Sequence, residues 1–120
     1  MASYPNQIKI IVEKSPANKM RGYSITDRVD EEVASKVLNA GAFKLWRYCA
    51  RNADGYNFWL SPKAVEEEMK RDQYRKARDE LIAVGYLVPI KEDSNIYIFK
   101  ERLNNNFLEK IKLVLFKQNR

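Results

Sequence analysis

Apolar and polar positions alternate from residue 7 to residue 13. Ile8, Ile10 and Val12 fall on one side, and Lys9, Ile11 and Glu13 on the other. This two-residue period, with one side wholly apolar, predicts a β-strand. Ser15, Pro16, Ala17 and Asn18 make a turn or loop, and residues 23–26 could pair back as a short second strand. The period then lengthens. Val33, Val37 and Leu38 share one side of a helix over 30–38, with Asp30, Glu31 and Glu32 in its first turn, where acids complement the helix dipole. Asn39, Ala40 and Gly41 break that helix and can start the next one, over 42–51. There Phe43, Leu45, Trp46, Cys49 and Ala50 form a broad apolar surface, with Lys44, Arg47 and Arg51 off it. Asn52, Ala53, Asp54 and Gly55 are a turn signal, and 56–60 reads as extended.

Ser61 and Pro62 mark a helix start. Serine is a preferred N-cap, and proline at the first helical position lacks only an N–H that has no helical partner. The short helix that follows is expected to bury Ala64, Val65 and Met69 and to turn Glu66, Glu67 and Glu68 outward. After a tight break at Lys70 and Arg71, Asp72 caps a helix that runs to Val84 and stops at Gly85. Tyr74, Ala77, Leu81, Ile82 and Val84 point inward by helical spacing. Residues 86–90 and 96–99 form a hairpin around Glu92, Asp93, Ser94 and Asn95. Farther on, Phe107, Leu108, Ile111, Val114 and Leu115 fit one face of a helix, although 111–116 could instead be a strand. No internal repeat or long linker divides the chain. One α+β domain is expected over residues 1–120, with its core in 30–100 and an extension over 104–120.

The order of helix, turn, short helix, tight break, helix and hairpin is that of a winged helix-turn-helix. The stretches Gly41-Ala42-Phe43-Lys44-Leu45-Trp46, Asn52-Ala53-Asp54-Gly55-Tyr56, Leu60-Ser61-Pro62-Lys63-Ala64 and Glu80-Leu81-Ile82-Ala83-Val84-Gly85-Tyr86-Leu87-Val88 resemble winged helix-turn-helix proteins of Gram-positive plasmids and phages. These include replication initiators, replisome organisers and conjugation accessory proteins. The resemblance implies a winged-helix fold, to which the hydrophobic pattern adds an N-terminal strand or hairpin and an extra C-terminal helix. It also implies double-stranded DNA binding in replication, conjugative transfer, partition or transcriptional regulation. The chain departs from the pattern in its short break at Lys70 and Arg71, in Arg78 where an aliphatic residue is usual, and in the acids Glu92 and Asp93 at the wing tip.

The charge balance fits a polyanionic partner. Lys and Arg number 22 against 16 Asp and Glu, for a net charge of +6. The acids of 66–68 precede a basic run of Lys70, Arg71, Arg75, Lys76 and Arg78. A helix enters the major groove only with an outer face that is polar and not negative. Arg75 or Lys76 could read guanine and Gln73 could read adenine, while Lys70, Arg71 and Arg78 suit phosphate. Ser61 and the N–H groups after it could meet a phosphate, although capping is its main role. Lys63, Lys91 and Asn95 complete the expected contact set. The acidic wing tip shifts the expected main surface to residues 70–78, helped by Lys110, Lys112, Lys117 and Arg120. The competing bland reading makes these cations a solvated face, with Arg78 paired to the acids of 66–68.

Phe107, Leu108, Ile111, Val114 and Leu115 either complete the core or mate with a second copy, so a homodimer is a candidate partner. A protein-interaction role toward other proteins of the same mobile element is the alternative function, and single-strand or RNA binding, which needs exposed aromatic pairs, is a third. Catalysis is not expected. The chain has no histidine, the usual general base and metal ligand, and its lone Cys49 is expected buried. Neither a phosphate-cradling glycine loop nor a metal-ligand spacing occurs, so no cofactor or metal is expected. No apolar run is long enough to cross a bilayer, and no signal-peptide pattern opens the chain, so a cytoplasmic location is expected.

Overall fold

The computed structural model describes residues 7–15, 28–92 and 94–103. The expected strand at 23–26, the tip residue Asp93 and the apolar C-terminal segment carrying Phe107, Leu108, Ile111, Val114 and Leu115 lie outside them. The described residues form an α+β fold of three helices and a four-stranded mixed sheet. In chain order these are β1 (Ile8–Glu13), α1 (Arg28–Val37), α2 (Ala40–Ala50), β2 (Asn57–Leu60), α3 (Arg71–Val84), β3 (Leu87–Pro89) and β4 (Ile96–Lys100).

The sheet order is β2-β1-β4-β3, which places β1 inside it. β1 pairs antiparallel with β2 and parallel with β4, with Ile10 opposite Phe58 on one side and Tyr97 on the other. Partners so distant in sequence leave no local signal, whereas the apolar run that lets β1 sit between two neighbours is visible. Ile8, Ile10 and Val12 are buried beneath the helices. The outer face carries Lys9 beside Trp59 and Ile96, and Ile11 beside Asn57 and Ile98.

Trp46 on α2 is the aromatic centre of the core. It stacks on Phe43 at 5.9 Å between ring centroids and meets Tyr86 and Phe99 edge-on, each at 6.2 Å. α2 starts at Asn39, whose Oδ1 accepts from Ala42 N at 2.9 Å. Asn39 N and Nδ2 in turn donate to the Glu80 carboxylate of α3 at 2.8 and 2.5 Å, so one residue caps α2 and ties it to α3. α3 ends at Gly85, with φ at +107°, where Gly85 N and Tyr86 N both donate to Leu81 O. That left-handed conformation is one that glycine adopts without a Cβ penalty.

The segment after Ser61 differs from expectation. Residues 62–69 are a run of turns and not a regular helix. Ser61 Oγ caps Ala64 N at 3.2 Å, as the Ser-Pro signal implies, but most bonds that follow span three residues. Only Val65 and Met69 are anchored in the core, and Ala64, expected inside, is exposed.

Charged groups also lie inside. Lys14 and Glu101 follow directly on the paired ends of β1 and β4, and both are buried. Lys14 Nζ lies 2.7 Å from Glu101 Oε2 and donates to Ala50 O at the carboxyl end of α2, where positive charge is favoured. Ser15 N donates to Glu101 Oε1 at 2.9 Å. Asp30 is 4% exposed and pairs with Arg102 at 2.7 Å, so it does more than complement the dipole of α1.

Candidate nucleic-acid interface

Tyr74, Ala77 and Leu81 pin one side of α3 into the core, which fixes which side faces out. Lys70 is its N-cap in place of the expected Asp72, which lies inside the first turn, and Gln73 Oε1 accepts from Lys70 N at 3.0 Å. Lys70, Arg71, Arg75 and Lys76 are exposed, and none is in an ion pair among the described residues. Asp72, in the first turn, and Asp79 share the outer side, so cations and carboxylates are interspersed on this face.

The structure sorts the expected contact residues. Arg75, Lys76, Lys70 and Arg71 lie together on the free side of α3. Gln73 is exposed, but its amide oxygen already holds the helix cap. Arg78, expected to meet phosphate, has a side chain only 20% exposed. It packs over the Tyr74 ring at 5.7 Å and pairs with Asp79 at 3.1 Å, and not with the acids of 66–68. Ser61 is buried as a cap and offers no accessible hydroxyl. Lys63 is exposed and pairs with Glu66 at 3.0 Å. A shallow cleft between Pro62, Lys63, Glu66, Met69, Lys70 and Arg71 joins this segment to the start of α3.

Lys91 and Asn95 lie at the hairpin loop, which Ile90 N closes by donating to Ile96 O at 3.0 Å. Asn95 O accepts from Lys9 N, so this residue also holds the loop to β1.

Burial pushes the Tyr74 hydroxyl up to about 12, against the opposing charge of Arg78. Burial likewise raises the Tyr86 hydroxyl, with the Asp30 carboxylate adding to the effect. Burial raises the Cys49 thiol well above its ordinary value, which suits a core residue and not a nucleophile. Among the described residues no His, Cys, Asp or Glu group is arranged to hold a metal ion, and no helix is long and apolar enough to cross a membrane.

A second basic surface escaped the sequence reading. Lys44, Arg47 and Arg51 line a cleft on α2 with Tyr48, and Glu68 forms its other wall. Arg51 lies over the Tyr48 ring at 4.3 Å, Tyr48 meets Phe58 edge-on at 6.0 Å, and Phe58 stacks on Tyr56 at 6.0 Å. The spacing of Lys44, Arg47 and Arg51 on one helix stripe was visible in the sequence, but the aromatic row crosses to β2 and was not.

Comparison with protein-family models, curated proteins and solved structures finds no match to the chain.

Proposed function

We propose that the chain is a winged helix-turn-helix protein that binds double-stranded DNA through α3, without catalysing a reaction. The DNA would belong to a plasmid, phage or other mobile element, and the role would be in replication, transfer, partition or transcription. The observation that carries the reading is the start of α3. Lys70, Arg71, Arg75 and Lys76 stand exposed on a helix whose opposite side is locked into the core. The order of α2, β2, the capped turns, α3 and the β3–β4 hairpin supports the winged-helix assignment.

α3 has 14 residues, or about 21 Å of helix, and a helix of ordinary diameter fits the major groove. Arg75 and Lys76 supply base contacts, and Lys70 and Arg71 supply phosphate contacts that set position. Fluorescence anisotropy on duplex from the element's own origin or promoter, titrated against salt, tests this. Two phosphate-facing cations give a log–log salt slope of about −2. Substituting alanine at Arg75 and Lys76 together should erase preference for the cognate duplex over random duplex. Absence of duplex binding at low salt would sink the proposal.

A further inference from the structure

The cleft on α2 sets positive charge beside the Tyr48 ring, from which an aromatic row runs outward through Phe58 to Tyr56, and α3 uses none of it. Lys44 and Arg47 are exposed, and Arg51 is 59% exposed at its side chain. Tyr56, at the far end of the aromatic row, is 52% exposed. The existing partners of the cations are weak. Arg47 sits 3.6 Å from Glu31 and Arg51 sits 3.9 Å from Glu68, both near the surface, where such pairs contribute little. Lys44 Nζ donates to Glu68 O at 2.9 Å, which aims its charge into the same cleft.

We infer that this cleft binds single-stranded DNA, with Lys44, Arg47 and Arg51 on the backbone and the exposed Tyr56, at the end of the aromatic row, offering its ring face to a base. Single strands are held by a basic groove beside aromatic platforms, because every base has a face that stacks. A duplex hides those faces, so an aromatic row beside cations favours the open strand. The inference extends the nucleic-acid reading to a second surface and survives without it, since none of these residues lies on α3. Glu68 is the one carboxylate among the described residues of the cleft wall, and strand binding must displace it from Arg51.

The test is anisotropy of a labelled oligo-dT strand with the full chain, beside a labelled duplex. Joint substitution Arg47→Ala and Arg51→Ala should weaken oligo-dT binding at least tenfold and make its log–log salt slope shallower by about 1.4, two single-strand phosphate contacts. Duplex affinity should change less than twofold. Tyr56→Ala should weaken oligo-dT binding about fivefold or more. Glu68→Gln, an exposed change that leaves the packing in place, should tighten it about two- to fivefold. In the reverse control, alanine at Arg75 and Lys76 should weaken duplex binding and spare oligo-dT. Unchanged oligo-dT affinity in the arginine variant, or weaker binding by Glu68→Gln, overturns the inference. Equal losses on strand and duplex overturn it too, as does tighter binding of oligo-U than of oligo-dT. Failure of duplex binding with the oligo-dT pattern intact refutes the α3 reading alone.

Discussion

Replacing Lys14 with methionine removes one half of an ion pair whose two side chains are both fully buried. At 2.7 Å and an effective dielectric constant near 20, the attraction between the charges is about 6 kcal/mol. Withdrawing both ions from water offsets most of it, so the intact pair is worth little beside a well-packed apolar pair. Breaking it is a different matter. Lys14→Met leaves the Glu101 carboxylate buried without its cation and takes a donor from Ala50 O at the end of α2. The expected loss is about 3–5 kcal/mol, a large share of the stability of a small domain. Glu101→Leu alone should cost a similar amount, and the Lys14→Met/Glu101→Leu double variant less than either single one. Urea unfolding followed by circular dichroism gives all four free energies and hence the coupling between the two positions. A single-variant loss below about 1 kcal/mol, or a double variant that loses the sum of the singles, would show that the charges do not act as a buried pair.

Gly85→Ala should cost about 1–2 kcal/mol in the same unfolding assay. The cost comes from the φ of +107° and not from crowding, since an added Cβ would lie 3.8 Å from its nearest neighbour, Leu103. Stability should fall as pH rises from about 10 toward 12, because Tyr74 stays neutral in the folded chain up to about 12 but ionises near 10 when unfolded. The folded state then holds the extra proton, so the slope is negative, at up to about 1.4 kcal/mol per pH unit for this group. Tyr74→Phe should flatten that slope. An unchanged alkaline slope in Tyr74→Phe would refute the assignment.

Periodicity made the elements legible and pairing remained hidden. Ile8, Ile10 and Val12 announce β1, and Gly85 announces the end of α3 to the residue, because both signals are local. That β1 lies between β2 and β4 depends on contacts from the far half of the chain. Helical spacing turns Glu66, Glu67 and Glu68 outward, as observed, whereas no local signal marks Lys14, Asp30 and Glu101 as buried. Each of those three is closed by a partner at least 70 positions away, so no window of sequence contains the pair. At the site, the exposed cations of α3 followed from helical spacing alone. Arg78 did not, although its four-residue spacing from Tyr74 allowed the contact that takes it from the outer face.

The acids of 66–68 have a place in this arrangement. Lys44 and Arg51 reach Glu68 from one side, and Lys70 opens α3 two residues later on the other. With neutral residues there, Lys44, Arg51, Lys63, Lys70 and Arg71 would merge into one positive surface that attracts any polyanion. Three glutamates break that field within about one Debye length, roughly 8 Å at physiological salt. On the proposed reading, nucleic acid would then be held by the geometry of each surface, by α3 in the major groove and by a ring face beside α2, more than by net charge. On this argument Glu66→Gln/Glu67→Gln/Glu68→Gln raises affinity for random duplex more than for the cognate one. Competition binding reads the ratio directly, and an unchanged ratio would leave the acids with no role in selectivity.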